Sequence, residues 1–595
     1  MDLTGAQSDV ARAPLDAKLF LSGPAGAGKT TAAVARLRHL LDRGIPADSV
    51  LLLTPQRFLH EPYLQSLEQD PYAGGQVTAT TMGGLARRMV ELFWPVAADA
   101  TGFATPDQPP VFLNLETAQY YMAHIVRPLL DQGYFESVTI DRNRLYSQIL
   151  DNLNKAAIIG FPYTEIAARL DSAIPGLPAQ RRVYQDAQEC AGLFREYCLQ
   201  HNLLDFSLQM EIFANVLWPR EDVRSHLHRA YRHLVYDNVE EDGPRAHDMI
   251  REWLGDLDSA LLVYDEGGGL RFLLGADPVT GWALRELCTD QTVLTGSFVM
   301  SPAIAALSDN LAAAIAPEEV APPLEPAADY GDALQLIQTR FYPELLDVLT
   351  SQIQRLIADD GLPASEIAIL APFVSDSLRF SITNRLETLG IPWRSHRPSR
   401  SLRDEPSAHA LLTLAALGHP AWDVHPPKSD LAYAFMQSIE GLDLVRAQIL
   451  AEIVYRPRDL TLTSFDAIKP DMQERITFSV GLRYSMLRDW LLAYREEQSL
   501  PFDHFLRRLF GEVLSQPGFG FRSRLDAIRV AASLIESIKR FRQATESTQA
   551  DFPNLGTQYI NMLQDGVIAA QYIETWQIPD VNAVLVAPAY TFLMM

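Results

Sequence analysis

Residues 23–31 read GPAGAGKTT, glycines followed by an adjacent lysine and threonine in the spacing G-x-x-x-x-G-K-[ST]. This combination suits phosphate. Gly23, Gly26 and Gly28 let the backbone curl its N–H groups around phosphate oxygens, and Lys29 would reach the β and γ phosphates. Thr30 would ligate Mg²⁺, and Thr31 continues a helix whose N-terminus favours an anion. The ligands implied are ATP and Mg²⁺. A second stretch, LVYDNVEED at 234–242, is an apolar run that ends on a carboxylate, Asp237, where a nucleotide-binding protein would hold its magnesium. The next residue, Asn238, is an amide. An amide can position water but cannot take its proton, and losing a general base costs roughly 10² to 10⁴ in rate. Glu240 and Glu241 follow closely, either as solvated loop acids or as substitutes for the base.

These groups need elements to hold them. The strand-like AKLFLSG precedes the loop and a helical pattern follows it from Thr30 to Asp42; SVLLLTP then reads as a strand, with a helix after Thr81. Strands alternating with helices imply a parallel α/β sheet. From 93 to 199 the strand signal vanishes and apolar residues recur at helical spacing, as in ETAQYYMAHIVRPLL. HLVYDN, SALLVYDE and QTVLTGS then resume the sheet. The expected organisation is 1–92 with 200–315 as one sheet domain, 93–199 as its helical insertion, and 316–332 as a Pro- and Ala-rich linker. A second α/β unit spans 333–418 and 576–595, interrupted by a helical block at 419–575. The closing VNAVLVAPAYTFLMM reads as a buried strand and suggests a piece of a longer chain.

At 595 residues the sequence exceeds one hydrophobic core, and chains of this length divide into roughly three to five domains. A net charge of −24 excludes a surface coated with nucleic-acid contacts and leaves room for a local basic groove. Cys190, Cys198 and Cys288 have neither metal-ligand nor paired spacing. No signal peptide opens the chain, and it lacks the run of about 20 apolar residues that spans a bilayer. The expectation is a cytoplasmic protein with no membrane partner.

The opening LTGAQSDVARAPLDAKLFLSGPAGAGKTT resembles that of the UvrD/Rep group of superfamily 1 DNA helicases, where a glutamine upstream of the loop reads adenine; Gln7 has that place. SVLLLTPQ, TTMGGLARRMV and LLDFSLQM are similar to further segments of that family, in the same order. The resemblance implies two RecA-like P-loop NTPase domains, each carrying a helical insertion, and single-stranded DNA or DNA junctions as partners in repair or recombination. Thr54, Thr81, Met82 and Arg87 fall at or beside its DNA-contacting positions.

Departures from the family concentrate on one phosphate. Asn238 stands where the family has its catalytic Glu, Gly268 replaces a γ-phosphate Gln, and Val299 replaces a γ-phosphate Arg. Phe298 keeps an aromatic ring where one stacks on adenine, and SALLVYDEGGGLRFLLGAD keeps Asp265, Gly275 and Ala276. The resemblance thus implies an ATP-binding, DNA-acting protein with impaired hydrolysis. Two other readings stay open: an active 3′-to-5′ helicase with Glu240 or Glu241 as base, and a non-motor scanning subunit of the AddB type working beside a nuclease or helicase partner. WRSHRPSRSLR at 393–403 is the most basic stretch and a candidate phosphate contact.

Overall fold

The computed structural model describes residues 3–68, 75–174, 178–315, 333–395, 402, 405–548, 554–567 and 582–593. The expected linker at 316–332 lies outside these residues, as does most of the basic 393–403 stretch.

The fold is α/β. Strands β1 (Lys18–Gly23), β2 (Val50–Leu53) and β3 (Thr78–Thr80) alternate with helices α1 (Gly5–Arg12), α2 (Lys29–Asp42), α3 (Glu61–Leu67) and α4 (Met82–Leu92). After a helical segment closed by the short parallel pair β4 (Val111–Phe112) and β5 (Leu203–Leu204), the chain returns as β6 (His233–Tyr236), β7 (Ser259–Asp265) and β8 (Asp290–Val293). These form one parallel sheet in the order β3-β2-β6-β7-β1-β8. Alternation along β1 explains its layers: Leu19 and Leu21 face a core with Val10, Leu37 and Tyr63, whereas Phe20 faces the opposite core with Met82, Leu85 and Met89. Residues two apart share a face, so an all-apolar strand must be covered on both sides. Strand β3 and the β4–β5 pair are too short and too mixed in character to read as strands in the sequence.

Register brings the chemistry to one edge. Gly23 lies opposite Asp265, and Leu53 opposite Tyr236, with Asp237 N–H donating to the Leu53 carbonyl at 3.0 Å. The carboxyl ends of β1, β2, β6 and β7 therefore border one crevice, where ligands of open parallel sheets bind.

A smaller parallel sheet has β9 (Ala368–Ala371) and β10 (Trp393–Ser395) on either side of β13 (Val584–Pro588). The antiparallel pair β11 (Tyr455–Arg456) and β12 (Thr461–Leu462) stands apart from both sheets. One boundary needs correction. The helix Pro406–Gly418, expected within the second α/β unit, packs on Lys428–Ser438 and Leu525–Thr545 and belongs to the helical block. Its HALLTLAALG face is apolar nearly all round, so it needs cover on every side, which helices supply and an edge of a three-stranded sheet does not. The two helical regions also share a core. Tyr120 packs on Phe541 with ring centroids 4.9 Å apart, Tyr121 OH donates to the Ala544 carbonyl at 2.9 Å, and Arg127 pairs with Asp565 at 2.8 Å. Residues expected as two separate insertions thus make one helical body. No helix among the described residues is long and apolar enough to cross a membrane.

Candidate functional site

The loop between β1 and α2 is shaped by positive φ at Gly26 (+74°) and Gly28 (+78°). A Cβ at Gly26 would fall 2.2 Å from Val299 Cγ2, and one at Gly28 would fall 2.3 Å from Gln7 Nε2. Glycine is therefore required twice, for conformation and for space. Gln7 is buried; its Nε2 donates to the carbonyls of Ala27 and Gly28 at 3.3 Å, and its Oε1 accepts from Thr4 N–H at 2.9 Å in the capping box of α1. The amide assigned to adenine is engaged with the loop itself. Phe298 N–H donates to the Gly26 carbonyl at 3.0 Å and its ring lies on the open side, 69% exposed, beside Gly28. Gln7, Gly28 and Phe298 thus lie together.

Lys29 is buried, with Nζ donating to the carbonyls of Gly23 at 2.9 Å and Pro24 at 2.6 Å, and pairing with Asp265 Oδ1 at 3.3 Å. Thr30 Oγ1 donates to Asp237 Oδ2 at 3.1 Å, across more than two hundred residues of chain. Thr31, half-buried, completes the first turn, in which Ala32 N–H is the first to reach back, to the Gly28 carbonyl. The preceding N–H groups face the loop, as helix starts leave them. Asp237 is 2% exposed; burial pushes its carboxyl up, and hydrogen bonds from Tyr63, Thr30 and the Asn238 backbone oppose that push. Tyr63, fully buried on α3, donates to the same Oδ2 at 2.6 Å. The sequence reading missed it: nothing local marks a tyrosine 174 positions away as a carboxylate partner. A threonine hydroxyl and a carboxylate in contact beside a glycine-rich loop are hard oxygen donors of the kind Mg²⁺ takes from proteins. The described residues hold no cluster of three or more His, Cys, Asp or Glu able to hold a metal alone.

The acids after Asp237 differ from expectation. Asn238 adopts φ +57°, ψ +50°, a left-handed conformation that asparagine tolerates better than most residues. Its Nδ2 donates to Glu240 Oε1 at 3.2 Å. Glu240 is not solvated: it is 1% exposed, accepts from Asp265 N–H at 2.9 Å, and burial pushes its carboxyl up to about 8 against those hydrogen bonds. Glu241 accepts from the N–H groups of Gly269, Leu270 and Arg271 at 2.8–2.9 Å. Both carboxylates clamp the segment after β7, which corrects the readings of either as a solvated acid or a free base.

The expected DNA contacts separate. Thr54 is fully buried, with Oγ1 donating to the Gln56 carbonyl at 2.7 Å, and Met82 is in the core. Thr54 therefore has no face open to a passing strand, whereas Met82, though 5% exposed, lines the pocket beside Thr81. Arg87 is exposed, pairs with Glu91 at 3.1 Å and covers the Phe112 ring. Thr81 caps α4 and lines a pocket of about 150 Å³ with Pro55, Gly83, Phe206 and Arg271. Arg271 donates to the Pro55 carbonyl at 3.3 Å, while its Nε is buried without a hydrogen-bond partner. Nothing in the local sequence singled this arginine out. No protein-family model matches the chain, and no curated protein matches it in sequence.

Proposed function

We propose that this protein is a UvrD/Rep-like, Mg-ATP-binding member of the RecA-like P-loop NTPases that acts on single-stranded or damaged DNA in repair or recombination and turns ATP over slowly. The observation that carries this reading is the contact of Thr30 with Asp237 at 3.1 Å, with β7 lying between the loop strand β1 and the carboxylate strand β6. A hydroxyl and a carboxylate in contact beside the glycine-rich loop support a reading of metal and phosphate binding there. Thr30 and Asp237 would hold Mg²⁺, which offsets phosphate charge when bound; Lys29 and the first N–H groups of α2 bind the phosphates, and Phe298 flanks the base. The pocket with Thr81 and Arg271 offers donors to a nucleic-acid strand crossing the same sheet edge. Slow turnover follows from Asn238, whose amide replaces a base and is committed to Glu240. The second small sheet supports the view of a second RecA-like unit, and a helicase or nuclease partner would suit a slow motor.

Titration with a fluorescent ATP analogue tests the reading. Lys29→Ala is expected to lose roughly 100-fold or more in affinity, on the scale of removing a charged contact from a buried phosphate site. Adding single-stranded DNA is expected to change steady-state hydrolysis little. Equal binding by Lys29→Ala, or strong DNA-stimulated turnover, would overturn it.

A further inference from the structure

Resting on that nucleotide reading, we infer that Asp265, at the end of β7, is the general base for the protein's slow ATP hydrolysis, a role the chain has moved one strand over from position 238. The other nearby acids are committed. Asp237 accepts from Tyr63, Thr30 and the Asn238 backbone. Glu240 is buried against Asp265 N–H and the Asn238 amide, and Glu241 holds three backbone donors. Glu266 accepts from Ser22 Oγ at 2.9 Å, on the side of β1.

Asp265 is different. Its strand register sets it opposite Gly23, the first residue of the phosphate loop, and its side chain is 27% exposed. Oδ1 is itself buried, beneath Lys29, and has no hydrogen bond beyond its 3.3 Å ion pair with Lys29 Nζ. The group that must reach the terminal phosphate and this carboxylate oxygen are thus in contact. When a phosphate draws the ammonium of Lys29 away, that oxygen is left beside the phosphate with a vacant acceptor. Glu240, fixed in turn by Asn238, holds the Asp265 backbone in place. The amide at 238 therefore serves the replacement base through Glu240.

The step balances simply. A water oxygen forms a bond to the γ phosphorus as the bond to the β–γ bridging oxygen breaks, and that electron pair leaves with ADP. The water proton passes to the Asp265 carboxylate and then to solvent, leaving inorganic phosphate. General-base contributions of roughly 10² to 10⁴ set the scale of what Asp265 supplies.

The test compares the full chain with Asp265→Asn and Asp265→Glu. In single-turnover reactions with Mg-ATP, Asp265→Asn is expected to slow phosphate release about 100-fold or more, with Asp265→Glu recovering part of the rate. Affinity for a fluorescent ATP analogue is expected to stay within about 3-fold, whereas affinity for fluorescent ADP with aluminium fluoride falls at least about 10-fold, because only that mimic holds the attacking oxygen in place. A purely structural role would lower ATP affinity and thermal stability together and leave the two ligands' ratio unchanged. Unaltered phosphate release in Asp265→Asn, or ATP binding by the natural chain with no hydrolysis at all, overturns the inference. Failure of the natural chain to bind ATP would instead overturn the nucleotide reading beneath it.

Discussion

The side-chain amide of Asn238 donates to Glu240 at 3.2 Å, and Glu240 accepts from the backbone of Asp265 at 2.9 Å. Asn238 is thus part of a clamp between β6 and β7. Its left-handed backbone accompanies the contact of its side chain with Glu240.

On the proposed reading, a glutamate at this position is not expected to speed ATP hydrolysis. Asn238→Glu places one carboxylate against another in a buried setting and removes the amide donor, a loss of about 1–3 kcal/mol for an unsatisfied buried group. The expected outcome is a lower melting temperature with no gain in ATP turnover. A tenfold faster ATPase with unchanged melting would refute the clamp.

Glu240 makes stability depend on pH. Its carboxyl is raised from an ordinary 4.5 to about 8 in the folded protein, so the folded state holds the proton that the unfolded chain releases. Its contribution is complete below the unfolded value and is lost as pH rises through about 8. The loss is on the order of 4 kcal/mol across that window. Glu240→Gln keeps an acceptor for Asp265 N–H and has no proton to lose. Paired thermal melts should coincide near pH 4.5 and diverge toward pH 8.5 in favour of the glutamine variant; parallel curves would show that Glu240 does not titrate in this way.

Arg271 provides a check on the DNA side. If a strand crosses the pocket beside Thr81, Arg271→Ala should weaken binding of a single-stranded oligonucleotide and reduce the salt dependence by about one unit of slope, as expected for loss of one phosphate contact. Arg87→Ala, whose charge is already paired with Glu91, should have the smaller effect. Equal salt slopes for the natural chain and Arg271→Ala in fluorescence anisotropy would place the strand elsewhere.

The glycine-rich turn into α2 was legible because it is local: nine consecutive residues supply the turn, the lysine, the threonine hydroxyls and the helix start. The alternating strands of the large sheet were legible for a similar reason, since an all-apolar run bounded by turn residues has few other places to go. Thr54 was misplaced because burial depends on what covers a residue. Here the Thr80 carbonyl takes its N–H, the Gln56 carbonyl takes its hydroxyl, and the residue is fully buried. Glu241 was misjudged because its partners lie 28–30 positions onward, on a loop whose path no local pattern encodes. The single helical body was hidden too, since the Tyr121 bond to Ala544 joins residues 423 apart.

By itself the sequence determined the glycine-rich turn, the strand ending on Asp237 and the alternation of sheet and helix, because each depends on near neighbours and on backbone preference. Tertiary structure alone decided which partner each acid takes. Carboxylates of similar intrinsic chemistry cluster at the ends of β6 and β7, and strand register with left-handed backbone at Asn238 commits Glu240 and Glu241 to amides while leaving Asp265 against Lys29. A side chain's reactivity depends on the hydrogen bonds it has not already made, and those are settled only when distant segments pack together.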